Sequence, residues 1–338
     1  MKIKCIVTAA ALAVIALTQT SCEKVSPQGV LMAGTAVEDR VEMSYSYFQN
    51  NMFESKLDFD LMDAEDGYSF LVGADSHITT DPGRLMEMLK IGLDNDDLLY
   101  AHLGDIADTK AEYYIVLQNA LREAQYDYVE KYYDYDKDAD LYYRKGKDYK
   151  YGRKYEEIQF PFFPVVGNHD ITHNGWALWS NVFGSSFYSF DVCVGEDSEG
   201  EIYDHFIFLD TASGTLGKKQ VDLIEQGVID GKGSYRHTFV FSHTNIFRPS
   251  SMQFASTFPR EETFFLLKQF DKWNASIVFC GHVHAYDERF YNGVYFITLD
   301  SMSERNSPKP GDYLVRVTVD KDGTLEIENV HMNYVAKK

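Results

Sequence analysis

Short apolar runs alternate with longer amphipathic stretches along most of the chain. The runs fall at 68–74, 98–103, 162–166, 206–209, 238–241, 277–280 and 294–299. Several are near-continuous in Val, Ile, Leu, Phe or Ala and are bounded by Gly, Asp, Asn or Pro, the pattern of strands buried on both faces. Helical periodicity occupies 82–93, 111–133, 218–226 and 261–274. Asp81-Pro82 reads as an N-cap followed by Pro at the first helical position. Strand–helix alternation predicts an α/β layered domain. At the end, 313–319 and 324–330 flank Asp322-Gly323 and predict a β-hairpin. The segment 124–157 breaks the pattern. It is crowded with Tyr, Lys, Asp and Glu and poor in aliphatics, so it predicts an exposed insertion within about 110–160, helical at its start and loop-like later. It serves either as a substrate-side lid or partner surface, or as solvated decoration.

The polar residues that end these runs carry the chemistry. Asp75-Ser76-His77 follows the first run, Gly104-Asp105 the second and Gly167-Asn168-His169-Asp170 the third. Later, Ser242-His243 and Gly281-His282-Val283-His284 end two more. In open α/β sheets, sites form at the carboxyl ends of strands. Imidazole nitrogens and carboxylate oxygens are the donors that Mn, Fe, Zn or Mg ions take. In Asp75-x-His77 and His282-x-His284 the donors are two apart. An extended strand would put both on one face, whereas a chain that turns after the strand could divide them between two ions. Asp105, with two carboxylate oxygens, suits a bridge.

This set of five motifs, in this order, resembles the calcineurin-like metallophosphoesterase family over residues 66–302 or so. The resemblance implies a two-layer β-sandwich flanked by helices, with a site for two divalent metal ions on its rim. It implies Asp75, His77, Asp105 and His284 at one ion, and Asp105, Asn168, His243 and His282 at the other. It also implies hydrolysis of phosphate mono- or diesters by a hydroxide shared between the ions. His169 would then act as general acid and Asp170 would orient it. Purple acid phosphatases of the same superfamily have Tyr three residues after the bridging Asp. Here that position is Asp108, so a Tyr-ligated ferric ion is not expected. The alternative is a catalytically inactive cell-surface binding protein on the same fold. His102, His173, His205, His237 and His331 read as ordinary core or surface residues. Asp210 reads as structural or supporting, and Trp176 and Trp179 as packing or, less simply, as a stacking surface for a base or sugar ring.

Composition narrows the partners. The 338 residues carry a formal net charge of −20, which opposes bulk nucleic-acid binding but leaves a small phosphorylated substrate open, since metal ions invert the local field. The aromatic share of 15% points to wide sheet faces and not to a function. At the N-terminus, Lys2 and Lys4 precede the apolar stretch Ile6 to Leu17, which is shorter than the roughly 20 residues a membrane-spanning helix needs. With Ser21-Cys22 behind it, this resembles a lipoprotein signal. Residues 1–21 are read as signal peptide, Cys22 as the lipid site and only membrane contact, 22–40 as a tether and 41–338 as one domain. The expected location is the periplasm or cell surface, with a soluble periplasmic or secreted form as the alternative. Of the folded part's cysteines, Cys193 and Cys280 read as free thiols more readily than as a disulfide.

Overall fold

The computed structural model describes residues 36–49, 64, 66–146, 152–198, 200–231, 235–247, 258–303 and 305–335. The proposed signal, Cys22 and most of the tether therefore lie outside the described residues. Two sheets form the centre. The first contains β1 (Gly67–Gly73), β2 (Leu99–His102), β5 (Phe162–Pro164), β12 (Gly311–Asp320) and β13 (Leu325–Met332), in the order β13-β12-β1-β2-β5. The second contains β6 (Tyr188–Asp197), β7 (Gly200–Phe208), β8 (Tyr235–Phe241), β9 (Ala275–Cys280), β10 (Asp287–Tyr291) and β11 (Val294–Thr298), in the order β10-β11-β9-β8-β7-β6. The strands β1, β2 and β5 run parallel, as do β7, β8, β9 and β11. Their carboxyl ends therefore gather at one edge of the sandwich.

Period-2 alternation builds three apolar layers. Phe70 and Val72 of β1 point into the space between the sheets, where Phe206, Phe208, Phe239, Phe241 and Phe279 meet them. The Phe70 ring lies 5.4 Å from Phe206 and 4.9 Å from Phe239, both edge-to-face, which welds one sheet to the other. Leu71, between them in sequence, faces the opposite way into a layer with α2 (Gly83–Asp94), α3 (Ala111–Tyr132) and α5 (Trp176–Phe183). On the second sheet Ile207, Val240 and Val278 face outward onto α1 (Val37–Gln49), α6 (Gly217–Glu225) and α7 (Arg260–Lys272). The short α4 (Asn168–Ile171) begins at the site itself. This is the expected two-layer sandwich flanked by helices, with a C-terminal hairpin of β12 and β13.

Several sequence-based boundaries shift. The tether was expected to run to residue 40, but α1 begins at Val37 and Arg40 is buried. There its guanidinium donates to the Asp210 carboxylate at 2.7 and 2.8 Å. Asp210 is thus structural, as read. Pro82 sits at the N-cap and Gly83 opens α2, one residue later than expected, while the Asp81 carboxylate accepts from the Gly83 N–H at 2.9 Å. The loop expected after α3 is instead a hairpin of β3 (Tyr133–Asp136) and β4 (Leu141–Arg144). It is held by the tilted ring pair Tyr135–Tyr142 at 4.8 Å and by Arg144 over Tyr132 at 4.7 Å. The end of α3, from which the hairpin springs, is anchored at the amino end of β2. Tyr132 and Lys131 bind Asp96, which precedes β2, whereas the candidate ligands follow β2.

Candidate metal centre

The backbone stops being extended just where the ligands begin. Asp75, His77, Asp105, His282 and His284 all have positive φ, between 45° and 71°. Asp tolerates this left-handed region better than most residues, but five such positions at one edge is strain that the surrounding structure must impose. Crossed hydrogen bonds impose it. The Asp75 N–H donates to Gly104 O, the His77 N–H to Asp105 O and the Gly281 N–H to His243 O, at 3.0–3.1 Å. Gly104 and Gly167 let the two loops touch. A Cβ on Gly167 would stand 2.1 Å from the Asp105 nitrogen.

All seven sequence-predicted ligands converge. One ligand atom each from Asp75, His77, Asp105 and His284 lies within 4.8 Å of the others. The Nε2 atoms of His77 and His284 are 3.3 Å apart, and His284 Nε2 is 3.4 Å from Asp75 Oδ1. Beside them, Asn168 Oδ1 is 2.8 Å from both His243 Nε2 and His282 Nδ1, and those two nitrogens are 3.2 Å apart. Asp105 joins the clusters, its Oδ2 being 3.8 Å from His77 Nε2 and 3.6 Å from His243 Nε2. The two x-spaced pairs behave differently. Asp75 and His77 share one cluster, while His282 and His284 divide between two.

The spacings of 3.2–3.4 Å fit divalent ions. Two donors that share an ion at about 2.1 Å stand roughly 3.0–3.4 Å apart for right-angled to tetrahedral coordination. The rings are also oriented for the task. His243 Nδ1–H donates to Leu103 O at 2.7 Å, which leaves Nε2 bare toward Asn168 and Asp105. His77 turns its Nδ1 to the Asp108 carboxylate at 3.5 Å. Burial alone would lower the His77 pKa, but the Asp108 bond, with the charges of Asp105 and Asp75, lifts it to about 8. Asp75 is fully buried, which pushes its carboxyl up; the bond from His284 and the charges of His243 and His77 outweigh this and hold it at about 2.

The proposed acid and its partner fare differently. His169 is exposed at the rim, its ring edge-on to His77 at 4.7 Å, with its backbone N–H donated to Asp105 Oδ1 at 2.6 Å. Asp170 does not orient it. The Asp170 carboxylate is turned inward, where it accepts the N–H groups of Gly167 and Asp105 at 2.8 Å and Ile106 at 3.0 Å. Burial, and then the charge of Asp105, raises its pKa to about 7. It is a clamp that fixes the Asp105 loop, and the expected carboxylate–imidazole pair is replaced by backbone contacts. Nor do the tryptophans offer a stacking face: Trp176 and Trp179 are buried and stacked on each other at 5.4 Å. None of His102, His173, His205, His237 and His331 belongs to either cluster. Cys193 and Cys280 are free thiols.

Two residues near the site had not been singled out for it. Thr211 accepts the His243 and Thr244 N–H groups at 2.9 and 3.0 Å, and so sets the His243 loop. Asp108, noted only for not being Tyr, holds His77 and is itself bound by Arg305 at 3.0 Å. Its proximity to Asp105 was the signal available for the first contact; nothing in the sequence pointed to the second.

No family model and no curated protein matches this sequence. Solved structures do resemble it. A dimetal phosphatase from Danio rerio is 11% identical, with a TM-score of 0.48 over 79% of this chain and 99% of its own. GAP50, the anchor in the inner membrane complex of Plasmodium, is 13% identical with a TM-score of 0.45 over 80% and 90%. PhoD is 11% identical with a TM-score of 0.43 over 78% and 68%. At TM-scores below 0.5 these likenesses stand beside the geometry, and the site's own residues carry the functional reading.

Proposed function

We propose that this chain is a metal-dependent phosphoesterase of the calcineurin-like kind, holding two divalent ions of the Mn, Fe, Zn or Mg type. The observation that carries this reading is the Asp105 carboxylate, placed between two clusters of converging donors. Asp75, His77 and His284 would hold one ion and Asn168, His243 and His282 the other, with Asp105 common to both. Ions bound there would lower the pKa of a shared water and neutralise charge on the phosphoryl oxygens.

The protein's own part is positioning and proton transfer. The strained loops fix the donors before substrate arrives, so little reorganisation is left for the reaction. As the water oxygen forms its bond to phosphorus and the ester P–O bond breaks, His169 gives its proton to the departing oxygen. Its exposure at the rim suits this role, because the leaving group must be free to diffuse away. The substrate is a small phosphorylated molecule. We further propose export, with lipid on Cys22, on the strength of the N-terminal residues.

A phosphate-release screen over monoesters, diesters and nucleotides, run with added Mn and then with chelator, tests the reading. Release that depends on metal supports it. A protein that binds no transition metal, or that releases no phosphate from any of them while metal-loaded, would sink it.

A further inference from the structure

A cleft of about 270 Å³ opens beside the metal centre, with His77 in its wall. Thr79, Thr80 and Ser303 supply hydroxyls, and Asp81 and Arg305 stand among its charged residues. Drug-sized ligands fill roughly 300–1,000 Å³, so this space suits a smaller, hydroxylated group.

Two cations line the cleft, and they differ in what they are free to do. The Arg84 guanidinium is buried and spent on the carbonyls of Met302, Lys309 and Tyr334 at 2.7–3.3 Å. Arg305 is 63% exposed and held by one carboxylate, Asp108, at 3.0 Å. So exposed an ion pair contributes little to stability. A guanidinium held that lightly can turn to a phosphate, which it grips with two parallel hydrogen bonds. Asp81, the acid at the cleft edge, is already engaged by the Tyr334 hydroxyl at 3.0 Å and the Gly83 N–H. In a chain of net charge −20, an exposed cation at the mouth is where a second anionic group would be read.

The side of the centre matters too. His77, Asp108 and His169 offer ligand atoms within 4.8 Å of one another. Arg305, through Asp108, therefore stands on the face from which His169 would protonate the leaving group. We infer that the cleft receives the leaving group and that Arg305 selects substrates whose leaving group carries a second phosphate, such as a small sugar or polyol bisphosphate. This rests on the phosphoesterase reading above.

The test compares fructose 1,6-bisphosphate, fructose 6-phosphate and 4-nitrophenyl phosphate on the Mn-loaded full chain and on R305A and R305K. The wild type is expected to favour the bisphosphate over the monophosphate at least tenfold in kcat/KM. R305A should raise KM for the bisphosphate at least five times more than KM for the aryl ester, with kcat for the bisphosphate within twofold and bound metal equal to wild type. R305K should recover part of the difference. A wild type without preference for the bisphosphate overturns the inference, as does an R305A effect equal on all three substrates. If the wild type cleaves none of them and fails the broader phosphate-release screen, the phosphoesterase reading itself has failed; if it cleaves other esters, only the leaving-group assignment falls.

Discussion

The two halves of the candidate metal centre are built from the same residue types and in opposite ways. The His243 half is made like protein interior. His243 is fully buried, its ring fixed by the Leu103 carbonyl and its backbone by Thr211. Behind Thr211 lies the buried Arg40–Asp210 pair. The His77 half buries Asp75 and His77 but is bounded by a rim. His77 leans on Asp108, Asp108 on an exposed Arg305, and exposed His169 stands beside them. Neutral backbone carbonyls hold a ligand whatever the pH or salt, whereas a chain of ionic contacts can be retuned by solvent and by an incoming anion. On the proposed reading, the closed half would be the part that holds an ion and the open half the part that meets substrate.

The change with the largest expected effect hits both halves at once. Asp105→Asn should cut phosphate release by about 10³-fold or more and reduce bound metal at both positions, measured by elemental analysis. Retention of both ions would break the bridging assignment. Next, His169→Gln should lower kcat by roughly 10²- to 10³-fold on an alkyl phosphate and far less on 4-nitrophenyl phosphate, with metal content intact. An equal loss on both esters would remove the proton-donor role.

Two milder variants set the halves against each other. Thr211→Val strands two backbone N–H groups in the closed half, and should cost about 2 kcal/mol or more of unfolding free energy by denaturant titration. Asp108→Asn, in the open half, should weaken affinity for one ion by about 10-fold while leaving stability nearly unchanged. Should Asp108→Asn destabilise the fold as strongly as Thr211→Val, the contrast is wrong.

The smallest effect concerns the floor beneath both halves. His102 is buried, with Nε2 3.0 Å from a Ser76 hydroxyl that donates elsewhere and Nδ1 without a partner among the described residues. Burial lowers its pKa from 6.5 to about 3. The unfolded chain therefore takes a proton that the folded chain refuses. Stability is complete above pH 6.5 and declines as pH falls from 6.5 toward 3, by on the order of 1 kcal/mol at pH 5.5 for this group. The expected signature is a shallower pH slope for His102→Gln than for wild type over that window.

What could be read in the sequence was local. A ligand that follows its own strand by two or three residues, as Asp75 follows β1 and His243 follows β8, is announced by the apolar run before it. Strands β6 and β10 escaped because Asp191, Cys193 and Glu196, or Asp287, Glu288 and Arg289, interrupt their apolar pattern at exposed or pairing positions. Asp170 was misread for another reason. A carboxylate next to a His in sequence invites pairing, but four-residue α4 turns the two side chains apart, and buried N–H groups compete for the carboxylate more strongly. The Arg40–Asp210 and Arg305–Asp108 contacts span 170 and 197 positions, and no pattern within either segment hints at the other.

The donors also come from both layers of the sandwich. Asp75, Asp105 and Asn168 leave the five-stranded sheet, while His243, His282 and His284 leave the six-stranded one. Ions seated among them would act as rivets across the seam between the layers. Each ion at 100 times its dissociation constant would add about 2.7 kcal/mol to cohesion. Loading and thermal endurance would then be a single variable, and the melting temperature would report occupancy without any substrate being present.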